Sequence, residues 1–249
     1  MTGKPIIEVK NLSVVYGERT ILKDINLEVY RGEIFVIVGG SGCGKSTLLR
    51  QIIGIERPSE GTIIINGEDL TASEGDKRRK ILQNFGVMFQ SGGLFASMDI
   101  GDNIGLMLES YTKVCKERID DLIDLNLSAV GLRGYENYYP SELSGGMKKR
   151  AAIARAMIMN PSIMCFDEPA SGLDPINAAS LDELIKDLNR SLGTTMLVVT
   201  HDLSSILNIS DRIIMLDAES KGIIAQGTPG VLKNYTDNEY VYKFFNRKT

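Results

Sequence analysis

Gly39-Gly40-Ser41-Gly42-Cys43-Gly44-Lys45-Ser46-Thr47 is the stretch that decides the fold. It satisfies G-x-x-x-x-G-K-[ST] through Gly39, Gly44, Lys45 and Ser46. Four glycines in six residues leave backbone N–H groups free to close around phosphate oxygens, with no side chains in the way. Lys45 adds a point charge for β- and γ-phosphates, and Ser46 offers a hydroxyl to Mg²⁺. Both flanks agree with this reading. Ile34 to Val38 (Ile-Phe-Val-Ile-Val) is a β-rich apolar run, as a buried parallel strand requires. Leu48, Leu49, Ile52 and Ile53 then recur at helical spacing, so the loop opens a helix and phosphate meets its positive N-terminus.

Outward from the loop, the first part of the chain reads as a sheet-rich layer. Ile6 to Val9 and Asp24 to Tyr30 are predicted strands, the second alternating Ile25, Leu27 and Val29 against polar neighbours. Tyr16 lies between them, before a glycine turn, where its ring either packs half-buried or stacks on a base. Gly61 to Asn66 is β-branched and closes on Asn66-Gly67, a hairpin signal. Ser73 to Lys80 is charged and reads as a solvated connector, followed by a strand at Phe85 to Phe89.

From about Ser97 to Arg155 the pattern turns helical. Ile119, Leu122, Ile123 and Leu127 mark a helix over Val114 to Leu127, and another follows from about Lys148 to Met159, stopped by Asn160-Pro161. Strand–helix alternation then resumes: strands at Ile163 to Phe166, Thr195 to Thr200 and Arg212 to Leu216, with a helix over Asp174 to Leu192. Such alternation indicates a parallel sheet covered on both faces. The last stretch, Tyr235 to Thr249, reads as a short docking helix. The expected fold is α/β: a mainly parallel P-loop NTPase core with an antiparallel β layer and an inserted helical lobe. Residues 1–249 form a single domain, with core and β layer at 1–96 and 156–249 and the lobe at about 97–155.

Composition sets bounds on function. At 249 residues and 43% hydrophobic content, the chain can bury a large core. A formal charge of −4 argues against a general nucleic-acid binder. Cys43, Cys115 and Cys165 make no C-x-x-C pair, which suits a reduced, cytosolic protein. No leader pattern is read at the N-terminus, and no apolar run approaches the roughly 18–20 residues that cross a bilayer.

Asp167 and Glu168 close the Ile163–Phe166 strand at its C-terminal edge, where open parallel sheets bind ligands. Taken alone, Asp-Glu before Pro169 reads as a solvated turn. Beside a phosphate loop, Asp167 suits the Mg²⁺ that Ser46 also touches, and Glu168 suits the water that attacks. His201, the only histidine, follows the Thr195–Thr200 strand, which is expected beside the Asp167 strand. A neutral imidazole there could bridge the γ-phosphate and that water. Gln90, also at a strand end, reads equally as a ligand of Mg²⁺ or water and as a polar loop residue.

Leu143-Ser144-Gly145-Gly146-Met147, set between Gly44-Lys45-Ser46 and Asp167-Glu168, closely resembles the signature of ABC-transporter ATPase subunits. The resemblance covers essentially the whole chain and implies an ABC nucleotide-binding domain that hydrolyses ATP with Mg²⁺. It implies Tyr16 as the aromatic residue stacked on adenine, Gln90 as the Q-loop and Ser171-Gly172-Leu173-Asp174 as the D-loop. His201 becomes the switch histidine. Gly39 to Thr47, with Gly40, Ser41, Gly42 and Cys43 in its bend, becomes the nucleotide cradle. Ser144, Gly145, Gly146 and Asp174 complete it from a second copy in a head-to-tail, twofold dimer that sandwiches ATP.

The signature departs from the common pattern, since Met147-Lys148-Lys149-Arg150 stands where Gln usually follows Gly-Gly. With Phe89-Gln90-Ser91-Gly92-Gly93-Leu94-Phe95, Ala129 to Gly134 and Pro140-Ser141-Glu142-Leu143, this is similar to the ATPase of Mla/Mce-type phospholipid transporters. That likeness implies a permease homodimer and an Mce-domain lipid-handling partner, and admits a small STAS-type subunit. It puts the chain on the cytoplasmic face of the inner membrane, peripheral, held by the permease. The Gln90 to Met107 segment then faces the permease, and Leu94, Phe95 and Met98 suit either a groove for a partner helix or core packing. Two other readings stand beside it: an ABC ATPase for a small soluble solute, and a soluble ABC protein coupled to no membrane.

Overall fold

The computed structural model describes residues 3–248. The chain opens with a hairpin, β1 (Ile7–Tyr16) and β2 (Arg19–Val29), turning at Gly17 and pairing Tyr16 with Arg19. Both strands run longer than their alternation predicts. Register shifts between Val9 and Val15 are bulges that move side chains to the opposite face, so period two fails there. After β3 (Ile34–Gly39) and α1 (Lys45–Ile52), β4 (Glu60–Ile65) and β5 (Glu68–Asp69) turn at Asn66-Gly67, both at positive φ. β4 pairs with β1 and completes a four-stranded antiparallel sheet.

The expected connector is instead a helix, α2 (Gly75–Leu82). Only Ile81 of its residues is buried, so no apolar stripe marks it. Arg78 anchors it by donating to the Leu70 carbonyl at 2.9 Å and the Gly54 carbonyl at 2.7 Å. After β6 (Phe85–Met88) come α3 (Ile100–Tyr111), α4 (Lys116–Ala129) and α5 (Gly145–Met157), packed on one another. Asn103, fully buried, holds the loop before α3 through Phe95, Met98 and Asp99.

The second half alternates: β7 (Ile163–Asp167), α6 (Pro175–Leu192), β8 (Thr195–Val199), α7 (Leu203–Ile209), β9 (Arg212–Leu216), then β10 (Ile223–Gly227), α8 (Pro229–Lys233) and α9 (Glu239–Asn246). The larger sheet runs β10-β9-β3-β8-β7-β6, parallel except at β10. β3 lies inside it with every residue buried. Val36 and Val38 feed a core shared with α3 to α6, while Phe35 and Ile37 feed a second core under the antiparallel sheet and α1. The three cysteines are free thiols, two of them buried. Among the described residues, no helix is long and apolar enough to cross a membrane.

A buried ion pair locks the amino-terminal edge of this sheet. Arg212 donates to both carboxylate oxygens of Glu33, at 2.9 and 2.7 Å, and its guanidinium lies 4.9 Å from the centre of the Tyr30 ring. The Glu33 side chain is fully enclosed and also accepts from the Tyr30 amide at 2.6 Å. Breaking a buried pair leaves an uncompensated charge, which costs about 3–5 kcal/mol. Glu33→Ala is therefore expected to lower unfolding free energy by about that amount, read from urea denaturation midpoints. A loss below roughly 1 kcal/mol, the value of an exposed pair, would show that water already screens Arg212.

Candidate active site

β3 delivers the chain to the carboxyl edge of the sheet, where the phosphate loop must turn at once into α1. The turn tolerates no side chain at Gly39: at φ +150 a Cβ would stand 2.4 Å from the Leu216 carbonyl oxygen and 2.6 Å from the Cys43 sulfur. Gly44, left-handed, caps α1 without any side-chain hydrogen bond, which leaves the helix's first N–H groups facing the loop. The Lys45 ammonium folds over the loop and donates to the carbonyls of Gly39 at 2.9 Å and Gly40 at 3.0 Å. A cation held only by neutral carbonyls, beside open N–H groups, fits a phosphate chain.

Ser46 and Asp167 meet across the same edge, the hydroxyl donating to the carboxylate at 3.2 Å. Burial pushes the Asp167 carboxyl up, partly offset by the Ser46 hydrogen bond. A hydroxyl and a carboxylate are hard oxygen donors of the kind Mg²⁺ takes when phosphate and water supply the rest. Glu168 follows in a left-handed conformation, φ 49, with its amide donating to the Val199 carbonyl at 2.8 Å. Its carboxylate lies 2.8 Å from His201 Nδ1, and β7 and β8 are parallel neighbours. An ionised Glu168 makes Nδ1 the donor and leaves Nε2 free to accept. Gln90 reaches Ser171 Oγ through Nε2 at 3.3 Å.

One cavity of about 760 Å³ gathers Gly39 to Gly42, Gly44 to Thr47, Gln90, Glu168 and His201. Arg19, Ile21 and Phe244 also line it, three residues outside the sequence-based expectation. Arg19 and Ile21 follow the Tyr16 turn on one face of β2, a spacing that could have singled them out. Phe244 arrives on α9, anchored by buried Val241 and Phe245, and nothing local points there.

Other expected residues lie elsewhere. Tyr16 is half exposed, outside the cavity lining, with its hydroxyl given to Glu56. Asp174 caps α6 by accepting from the amides of Ile176 and Asn177, each at 3.1 Å. Ser144 caps α5 through the Met147 amide at 3.3 Å and is absent from the cavity, as are Gly145 and Gly146. A Cβ on Gly145 or Gly146 would meet only ordinary contacts, at 3.7 and 3.5 Å. Their own fold does not demand glycine there, so the open backbone suits a ligand from outside the subunit. Lys149, one turn further, is buried and donates to the Gln90 carbonyl. Burial pushes its ammonium down, while Glu168 and Asp167 pull it back up.

The ABC transporter family model matches residues 22–171. The intermembrane phospholipid transport system ATP-binding protein MlaF of Haemophilus influenzae is 41% identical over 223 residues, covering 90% of this chain and 84% of the relative. MlaF of Escherichia coli K12 is 39% identical over 232 residues, covering 93% and 86%. The probable ribonucleotide transport ATP-binding protein mkl of Mycobacterium leprae is 40% identical over 240 residues, and this chain spans 96% of itself but 68% of that relative. Among solved structures, a dimeric ATP-binding cassette in a post-hydrolysis state bound to ADP and Pi superposes with TM-score 0.81 at 31% identity, over 89% of this chain and 98% of the other. The cbiO1 subunit of Clostridium perfringens gives 0.84 at 28%, over 98% and 96%. Matched by the family model over most of its first 171 residues and by relatives over nearly all its length, the chain belongs to the ABC transporter family as an ATP-hydrolysing cassette.

Proposed function

We propose that this cassette hydrolyses ATP with Mg²⁺ between two copies of itself and so powers phospholipid transport through an Mla/Mce-type complex. Lys45 and the loop amides from Gly39 to Thr47 hold the phosphates, and Ser46, Asp167 and Gln90 hold the metal. The observation that carries the chemistry is the Glu168–His201 contact at 2.8 Å beside Ser46–Asp167 at 3.2 Å. Glu168 takes the proton of the attacking water, and His201 holds Glu168 through Nδ1–H while its Nε2 accepts from that water. Tyr16 stacks on adenine once its hydroxyl leaves Glu56. Ser144, Gly145, Gly146 and Asp174 serve the partner's nucleotide, because they stand outside the cavity of their own subunit.

Residues 97–155 form the lobe that bears the signature. Between it and the core lies a mostly apolar hollow of about 180 Å³, with Leu82, Phe85, Met107, Tyr111 and Met159 rimmed by Arg79 and Gln83, suited to a helix of an integral membrane permease. Of Leu94, Phe95 and Met98, only Phe95 is well exposed, at 45%, so Leu94 and Met98 belong more to packing than to docking. The remaining partners are an Mce-domain protein and, in some assemblies, a STAS-type subunit; no nucleic acid is involved. The cassette works at the cytoplasmic face of the inner membrane.

Cargo rests on kinship. Relatives named for intermembrane phospholipid transport are matched over 84 and 86% of their own length, and those named for ribonucleotide transport over 66 to 68%. The second reading, a soluble solute such as a ribonucleotide, draws on that last name. Reconstituted with its permease, the complex is expected to move labelled glycerophospholipid in an ATP-dependent manner and leave labelled ribonucleotide behind. Movement of ribonucleotide alone would replace the first reading by the second.

Glu168→Gln is expected to keep ATP binding while turnover falls roughly 10²–10⁴-fold, the usual worth of a positioned general base. The variant should also accumulate as an ATP-bound dimer in size-exclusion chromatography; near-normal turnover would remove Glu168 from its role.

Composite sites predict complementation. Ser144→Arg and Lys45→Ala homodimers should each be inactive, and a mixed dimer should recover one working site. No recovery in a dimer verified by mass would mean that Lys45 and Ser144 do not act in trans.

A further inference from the structure

The helix that bears the signature also bonds the main chain of Gln90, a residue at the site of its own subunit. α5 lies directly on β6, because a Cβ on Gly86 would stand 2.1 Å from the Ala156 carbonyl oxygen and only glycine lets the two backbones meet. Arg155, further along α5, donates to the Gly93 carbonyl and lies 4.8 Å over the Phe95 ring. Nearer the signature, Lys149 is 8% exposed and gives its ammonium to the main-chain carbonyl of Gln90. An ammonium withdrawn from water needs acceptors or opposite charge around it. Asp167 and Glu168 supply the charge, and both attract it electrostatically. Two cations of one helix therefore grip the Gln90–Phe95 turn.

We propose that Lys149 is a positioning residue for ATP hydrolysis, holding the Gln90 main chain in its own subunit while Ser144 on the same helix end serves the partner's nucleotide. This role rests on the composite ATP site described above. It makes α5 the physical link between the two sites of the dimer. A phosphate seated at Ser144 bears on the end of a helix whose next turn fixes the Gln90 carbonyl beside the other nucleotide. No other cation among the described residues bridges the signature helix and that carbonyl.

The cis geometry gives a test that a merely structural lysine fails. In the mixed dimer of Ser144→Arg and Lys45→Ala subunits, the one live site takes its phosphate loop from the first subunit and its signature from the second. Lys149→Met is added to one subunit or the other, and turnover is measured at saturating ATP. On the Ser144→Arg subunit, turnover is expected to fall roughly 10–100-fold, the range for residues that orient a metal's ligands. The fall should exceed that from placement on the Lys45→Ala subunit at least about tenfold, with the half-saturating ATP concentration moving less than about threefold. Lys149→Arg, which keeps charge and donor, should restore most of the loss. Lys149→Gln replaces Met should that variant not fold, with the same direction expected, since the charge is gone. Equal losses in both placements, a larger loss from the signature-bearing subunit, or no loss would overturn the proposal. Lys45→Ala and Glu168→Gln homodimers separate the two levels. If these keep turnover, the ATP site itself is misassigned; if they lose it while Lys149 variants do not, only the role of Lys149 falls.

Discussion

Six consecutive buried residues, Ile34 to Gly39, are what the rest of the cassette depends on. A strand can be apolar on both faces only where both faces are covered, and β3 is covered by two separate cores. Each large side chain buried there contributes roughly 1.5–3 kcal/mol, so the strand has no cheaper place to lie. Parallel neighbours β8 and β9 then set the direction in which the chain leaves, at the carboxyl edge. Glu168 after β7, His201 after β8 and Gln90 near the end of β6 emerge at that same edge. Polar groups from four distant parts of the sequence meet because the apolar floor beneath them is rigid.

The electrostatics of that edge suit a highly charged guest. Lys45 is satisfied only by loop carbonyls, which a phosphate oxygen outcompetes as an acceptor. Burial raises the Asp167 carboxyl, and a cation shared with Ser46 would favour its ionised form. Glu168, bound to His201 and half-buried, is oriented by partners instead of swinging in solvent. These features belong to ATP chemistry and carry no mark of the cargo. Relatives of similar identity carry names pointing to phospholipid and to ribonucleotide.

α5 concentrates the remaining asymmetry. Its first residues, Gly145 and Gly146, present backbone that their own subunit does not crowd, and its second turn buries a lysine against the Gln90 carbonyl. Close seating on β6 through Gly86 leaves little freedom between the two ends. In the proposed dimer this helix joins the partner's nucleotide at its first turn to the Gln90 carbonyl of its own subunit at the next.

The sequence by itself determined the phosphate loop, the Asp167–Glu168 edge, the alternating second half and the helical middle, because each is written in local spacing. A glycine-rich loop between an apolar run and a helical period, or a strand ending in two carboxylates, needs no distant residue to be recognised. It fell short wherever local pattern and burial part company. Bulges in β1 broke the period-two signal, and α2 has one buried residue and therefore no stripe. The tertiary structure alone brought Phe244 to the phosphate loop, tied Tyr16 to Glu56, and turned Lys149 inward to Gln90 across 59 residues of chain. A lysine reads as solvated from its side chain alone; only the packing of α5 against β6, and carboxylates contributed by another strand, make its burial tolerable.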